Sequence, residues 1–102
     1  MDLKPFTRPT RYTISCLPAG ISPDARLWDL HVEVDRDGYW SITDGHRYLD
    51  INGIWHDTRR EGGQHTLGEA IATAEAAAPH VTINGLTPAA ALARIVELEA
   101  AG

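Results

Sequence analysis

Cysteine is nearly absent from this sequence, which contains only Cys16 among its 102 residues. A single cysteine excludes a disulfide within the chain and a cysteine-rich zinc site. Because Cys16 continues the alternating run RYTISCL, we expect it to be a small buried core residue. No apolar run approaches the roughly 20 residues of a membrane span, and residues 1–12 lack the hydrophobic segment of a signal peptide. A cytoplasmic protein is therefore the expectation.

Positive charge is also scarce, since the formal net charge is -5. Residues 61–102 carry five glutamates against a single arginine. Proteins that bind nucleic acid through its phosphates need a basic surface, so the composition disfavours that class. The length and the 43 % hydrophobic content indicate one globular domain. We expect residues 1–10, which hold two prolines and no periodicity, to form a flexible arm, and residues 11–102 to form the domain.

Alternating apolar and polar residues dominate the first half of the chain and predict an antiparallel β-meander of four to five strands. The candidate strands are RYTISCL, LWDLHVEV, YWSIT, RYLDI and IWH. Trp28 and Trp40 fall on the predicted inward face, and Ser41 and Thr43 on the outward face. Turn signals separate the later strands at Asp37-Gly38, Asp44-Gly45 and Asn52-Gly53.

Pairs such as Asn52-Gly53 are typical of two-residue hairpin loops. Such a loop predicts that Tyr48 pairs with Asp57 and that Asp50 pairs with Trp55. Ile54 and Trp55 then compete for the inward position. The sequence leaves open which of them points outward.

Helix signals dominate the second half of the chain. Thr66 and Glu69 form a capping box that begins an alanine-rich helix, and Pro79 ends it. The segment VTING is predicted to be a short strand, and Thr87-Pro88 begins a last helix. The fold class is therefore α+β: a meander followed by helix, short strand and helix, with the helices packed on one sheet face.

The sequence contains no established catalytic or metal-binding pattern. The five histidines show no metal-ligand spacing, and we predict no catalytic, cofactor-binding or metal-binding residues and no cofactor. One enzymatic alternative is a small hydrolase that uses His46, His56 and Asp57. It requires these three side chains to meet at one concave site.

The leading hypothesis is a non-enzymatic protein-binding module, whose partner is another protein or a second copy. An exposed Trp beside polar aromatic neighbours is typical of interface hot spots. The candidate contact surface comprises His31, Tyr39, Tyr48, Asp50, Trp55 and His56. The last helix is apolar on more than one side, which predicts a homodimer contact through Leu92, Ile95 and Val96.

The second hypothesis is a nucleic-acid-associated regulator. The hairpins YWSITDGHRYLDINGIWHDT followed by TLGEAIATAEAAA resemble, in rhythm, the DNA-binding domains of plant ethylene-response factors and the arm-binding domains of phage integrases. Those domains read DNA with arginines on a sheet face. Here the predicted outward face carries acids instead, so the candidate contacts are arginines elsewhere: Arg8, Arg11, Arg47, Arg59 and Arg60.

The segments RYTISCLP and AAPHVTINGLTPAAALAR resemble the ends of small uncharacterised proteins of actinobacteria and their phages. The resemblance extends from Arg11 to Arg94. It implies an actinobacterial or phage origin, and it implies no catalytic residues.

Overall fold

The computed structural model of the chain describes residues 2–18, 20–21 and 23–101. It confirms the α+β class, because a five-stranded antiparallel sheet precedes the helices. The strands follow one another in the sheet in chain order, as a meander requires. They are β1 (Arg11–Ile14), β2 (Leu30–Val34), β3 (Trp40–Thr43), β4 (Tyr48–Leu49) and β5 (Trp55–His56).

The helices are α1 (Arg59–Gly62), α2 (Leu67–Ala77) and α3 (Pro88–Ala101). Two 3-10 helices, Pro23–Trp28 and Ala78–His80, complete the regular structure of the described residues. The capping box that begins α2 is present as predicted, with the backbone N–H of Glu69 donating to Thr66 and the Glu69 carboxylate accepting from the Thr66 N–H. None of the described helices is long and apolar enough to cross a membrane.

The hydrophobic core lies between the sheet and α2. Cross-strand partners share a sheet face, and the central row of partners on the core face is Tyr12, Val32, Ile42, Leu49 and Trp55. Helix α2 covers this face with Ala70 and Ala74, which are both fully buried. Because alanine side chains are small, the helix backbone approaches the sheet closely.

The opposite sheet face is polar but partly covered, which the sequence did not predict. Helix α1 lies against Tyr48, so that a Cβ added to Gly62 would stand only 2.7 Å from the Tyr48 Cβ. Ser41 and Thr43, expected to face solvent, are 3 % and 6 % exposed. The Thr43 hydroxyl compensates for its burial by donating to the Arg47 carbonyl at 2.8 Å.

Trp28 is buried as expected, but it belongs to a 3-10 helix and not to a strand. Its indole Nε1–H donates to the carbonyl of Leu86 at 2.9 Å. This hydrogen bond ties the segment before β2 to the turn before α3. Burial of a large aromatic with a satisfied N–H therefore outweighs the alternating pattern that predicted a strand through this residue.

Cys16 is exposed, so its expected burial is wrong. β1 ends at Ile14, because the Ser15 side chain then takes over local hydrogen bonding. The Ser15 hydroxyl lies 3.2 Å from both the backbone N–H and the carbonyl oxygen of Leu17. Such local side-chain bonds compete with the sheet ladder, and Cys16 leaves the sheet as a result.

The predicted short strand before α3 is reduced to one antiparallel bridge between Ile83 and Leu86. Asn84 and Gly85 lie between them at positive φ, as their turn signal predicts. Residues 2–10 are exposed and lack regular structure, and the Thr10 carbonyl accepts from the Val34 N–H at 3.1 Å. The flexibility of this arm stays a prediction.

Candidate functional site

The hairpin between β4 and β5 has a three-residue loop, residues 51–53, and not the predicted two-residue loop. The Asp50 N–H donates to the Ile54 carbonyl at 2.9 Å, and the Gly53 N–H donates to the Asp50 carbonyl at 3.0 Å. Gly53 has a φ of 81°. The Asp50 carboxylate also accepts from the backbone N–H groups of Asn52 and Ile54. This is the type I turn with a glycine bulge, which favours Asp at its first position.

The longer loop shifts the strand register by one residue. Leu49 pairs with Trp55 and Tyr48 pairs with His56, so the predicted pairs Asp50–Trp55 and Tyr48–Asp57 are wrong. Trp55 therefore turns toward the core and is half-buried, whereas Ile54 is 57 % exposed. This answers the question that the sequence left open.

The signal for the correct register is present in the sequence as Asp-x-x-Gly. The hairpin between β2 and β3 has the same motif, with the Asp35 N–H donating to the Tyr39 carbonyl at 2.8 Å. The Asp35 carboxylate accepts from the N–H groups of Asp37 and Tyr39. Reading the turn from the glycine and its preceding residue alone missed the aspartate that organises each loop.

A groove opens between this hairpin and α2, with a volume of about 550 Å³. Trp55 lines it from the sheet, and alanines line it from the helix. The residues that line it include Leu49, Ile51, Trp55, Ala72, Ala76 and His80. We call this concavity the Trp55 groove. Within the described part of the chain, no Asp or Glu lines it.

An exposed apolar side chain and a basic group lie next to residues that line the groove. Ile51 is 51 % exposed on the loop, next to the exposed Ile54. The Arg47 guanidinium lies 5.1 Å from the centroid of the Trp55 ring, a cation–π distance. Arg47 also lies 3.8 Å from the Asp44 carboxylate. The groove thus combines an aromatic wall with positive charge beside it.

The predicted contact surface is divided by the sheet. His31, Tyr48 and His56 lie on the polar face, in a row that also contains Thr13 and Thr43. Trp55 lies on the core face, as its partner Leu49 does. The register shift caused this separation, because each one-residue slip moves a side chain to the other face.

Two further residues of the predicted contact surface, Tyr39 and Asp50, lie at the ends of hairpin loops. Tyr39 is 47 % exposed beside the loop that precedes β3. The Asp50 carboxylate Oδ2 accepts from His56 Nε2 at 2.7 Å. This hydrogen bond, followed by the one from the Ile54 N–H, lowers the pKa of Asp50 below its ordinary value.

The three residues of the hydrolase hypothesis do not line a common cavity. His46 is exposed in the loop after β3, where its N–H donates to the Asp44 carboxylate. Asp57 is exposed after β5, and His56 is engaged by Asp50. Neither the Trp55 groove nor the cavity beside α1 is lined by any of the three. Among the residues that the structure describes, no group of three His, Cys, Asp or Glu could hold a metal ion.

Two arginines of the nucleic-acid hypothesis, Arg11 and Arg47, each lie within 4 Å of a carboxylate, and Arg8 lies in the exposed arm. Arg11 lies 3.3 Å from Glu33, and Arg47 pairs with Asp44 as described above. Arg59 and Arg60 line a second cavity of about 590 Å³ together with Asp35. Arg11 and Arg47 are therefore each close to one carboxylate, and Arg59 and Arg60 share a cavity with one.

The three predicted dimer residues differ in exposure. Leu92 is half-buried and packs on the core of its own chain. Ile95 is half-buried, and Val96 is 53 % exposed. Leu98, which lies beyond the predicted set, is 65 % exposed. The free apolar surface of α3 therefore lies in its C-terminal half.

Comparison with protein-family models, curated proteins and solved structures finds no match to the chain.

Proposed function

We propose that the protein is a non-enzymatic protein-binding module that receives an acidic amphipathic helix of its partner in the Trp55 groove. The observation that carries this proposal is the open apolar groove, of about 550 Å³, between the β4–β5 hairpin and α2. An actinobacterial or phage origin, with an accessory role, is part of the proposal and is supported by the resemblance of the chain's two end segments to such proteins.

The shape of the groove favours a helix as its occupant. Ala72 and Ala76 on α2 are small, so a second helix can approach the α2 backbone closely. Trp55 supplies a large, half-buried aromatic surface on the opposite wall. Helix-in-groove recognition uses apolar side chains spaced along one helix face, and buried tryptophans are frequent hot spots.

The charges around the groove favour a partner helix with acidic residues over one with basic residues. The chain as a whole is acidic, yet the groove lining contains His80 and no Asp or Glu among the described residues. Arg47 stands beside the groove over the Trp55 ring. Acidic residues beside the apolar stripe of a partner helix would face the Arg47 guanidinium, and complementary charge favours association and orientation.

The test uses two synthetic amphipathic peptides with the same apolar face, one with glutamates and one with lysines beside it. The measurement is the shift of the Trp55 indole N–H resonance during titration. We expect the acidic peptide to shift this resonance and to bind at least about tenfold more tightly, which corresponds to about 1.4 kcal/mol.

Two phenylalanine substitutions provide the matched control. Ala76→Phe fills the groove, whereas Ala90→Phe places the same side chain at an exposed position of α3. We expect Ala76→Phe to abolish binding and Ala90→Phe to preserve it. Binding that survives Ala76→Phe, or equal affinity for both peptides, would contradict the proposal.

A nucleic-acid-associated role is the second candidate, and the cavity lined by Arg59 and Arg60 favours it. Phosphate groups could contact both guanidinium groups there. A gel-shift titration with duplex DNA and with single-stranded RNA at low salt tests it, with Arg59→Ala/Arg60→Ala as the variant. No shift at low salt would remove this candidate.

A further inference from the structure

Helix α3 is packed where it begins and uncovered where it ends. Pro88 and Ala91 are buried, and the helix contacts the 3-10 helix Ala78–His80. Two turns later Val96 and Leu98 are 53 % and 65 % exposed. The radius of gyration is 16.3 Å, whereas a compact chain of this length has about 13 Å. Projecting segments account for the difference.

The apolar residues in the C-terminal half of α3 lie on one side of the helix; Val96 and Leu98 are exposed and Ile95 is half-buried. At the helical repeat, the arc from Leu98 through Ile95 to Val96 covers about 160° of the circumference. Glu99 falls within this arc and Glu97 lies outside it. The C-terminal half of α3 therefore has an apolar arc that contains one acidic residue, Glu99, and a second acidic residue, Glu97, outside the arc.

We infer that the Trp55 groove receives the C-terminal half of α3 from a second copy of this chain, and that the exchange is reciprocal. This inference rests on the proposed function and names its partner. Ile95, Val96 and Leu98 would contact Trp55 and the alanines of α2. Glu99 would face the guanidinium group of Arg47.

The chain's own α3 does not fill its groove. The first turns of α3 pack on the 3-10 helix that contains His80, and His80 itself lines the groove. Among the described residues, none from α3 lines the groove. The exposure of Val96 and Leu98 shows that the helix continues away from the core instead.

Interface size favours a reciprocal exchange over a single contact. A specific dimer buries at least about 1,200 Å² in total. A two-fold axis creates two identical helix–groove contacts, so that each needs to bury only about 600 Å². A one-sided contact would have to bury twice that area with two turns of helix.

The test is the molar mass of the full chain as a function of concentration, measured by light scattering after size exclusion and by sedimentation equilibrium. Leu98→Asp removes the helix contact, and Ala93→Asp adds the same charge at an exposed position outside the arc. Ala76→Phe closes the groove, with Ala90→Phe as its control. We expect a wild-type dimer. Each substitution abolishes both helix–groove contacts of a homodimer, so Leu98→Asp and Ala76→Phe should each raise the dissociation constant at least about a hundredfold and leave the chain monomeric, with both controls unchanged.

Mixing the two defective variants separates a reciprocal exchange from other dimers. The Ala76→Phe chain keeps an intact helix, and the Leu98→Asp chain keeps an open groove. Their equimolar mixture should form a heterodimer through one intact contact, although each variant alone is monomeric. A dimer that packs α3 against α3 cannot be restored in this way.

Other outcomes overturn the inference without deciding the proposed function. A wild-type monomer at millimolar concentration, or a dimer lost with Leu98→Asp but kept with Ala76→Phe, would exclude α3 as the occupant of the groove. The acidic-peptide titration would then still test the groove. If that peptide also fails to shift the Trp55 resonance, the proposed function is wrong as well.

Discussion

The Asp50 carboxylate and the His56 imidazole lie 2.7 Å apart, across the hairpin that joins β4 to β5. The same carboxylate accepts from two backbone N–H groups of the loop. One side chain therefore closes the loop and binds the first residue after Trp55. Because it sets the register, it also places Trp55 in the wall of the groove.

The first prediction concerns pH. The hydrogen bond from His56 lowers the pKa of Asp50, so the folded state favours the ionised carboxylate. Asp50 therefore contributes stability above its unfolded pKa of about 3.9, and this contribution is lost as the pH falls through the lowered folded pKa. In Asp50→Asn the loss should be absent. Urea unfolding at a series of pH values checks this, and a constant difference between the two proteins below pH 4 would contradict it.

The second prediction concerns the contact between α1 and the sheet. A Cβ at residue 62 would stand 2.7 Å from the Tyr48 Cβ, so Gly62→Ala forces α1 away from β4. We expect a loss of about 1–3 kcal/mol in the free energy of unfolding. Gly68→Ala is the matched control, because nothing lies within 4 Å of its added Cβ and alanine favours helix α2. Equal effects of the two substitutions would refute this account of α1 packing.

The third prediction concerns the glycine of the β4–β5 loop. Gly53 has a φ of 81° and open space around it, so Gly53→Ala introduces backbone strain without a clash. We expect a cost of about 1–2 kcal/mol. Gly53→Asn should cost less, because asparagine tolerates this conformation better. Thermal unfolding of the three proteins checks the order glycine, asparagine, alanine. An alanine variant as stable as wild type would rule out this loop conformation.

The fourth prediction concerns the hydrogen bond from Trp28 to Leu86. Trp28→Phe keeps an aromatic ring but removes one of the two N–H groups that donate to the Leu86 carbonyl, which keeps the Ile83 N–H. We expect a loss of about 0.5–1.5 kcal/mol and faster hydrogen exchange of the Ile83 and Leu86 amides, which bond to each other. Leu27→Ala, at an exposed neighbouring position, should leave that exchange unchanged. Unchanged exchange in Trp28→Phe would show that this bond does not hold the turn.

Local chemistry in the sequence predicted several elements correctly. The capping box at Thr66 begins α2, and Thr87 accepts from the Ala90 N–H at the start of α3. Asn84 and Gly85 form a turn at positive φ. These features depend on residues that are at most four positions apart, so their physics is contained in the local pattern.

The candidate site was harder to predict, because a one-residue error in loop length moves side chains to the other sheet face. The two-residue loop expected at Asn52-Gly53 separated His56 from Asp50 and left the orientation of Trp55 open. The burial of Ser41 and Thr43 was missed for another reason. Helix α1, a single turn, packs against β3, the strand that contains both residues. Four residues carry too little periodicity for a helix to be predicted from the sequence.

By itself, the sequence determined the α+β class, the order of meander and helices, and the positions where α2 and α3 begin. Alternation and capping specify these features through contacts between near neighbours. Only the tertiary structure decided that Trp55 turns inward, that Cys16 is exposed and that an open groove separates α2 from the last hairpin. These outcomes depend on strand register and on packing between elements that are distant in the chain. The local sequence is compatible with more than one register, and small differences in burial and hydrogen bonding decide which one forms.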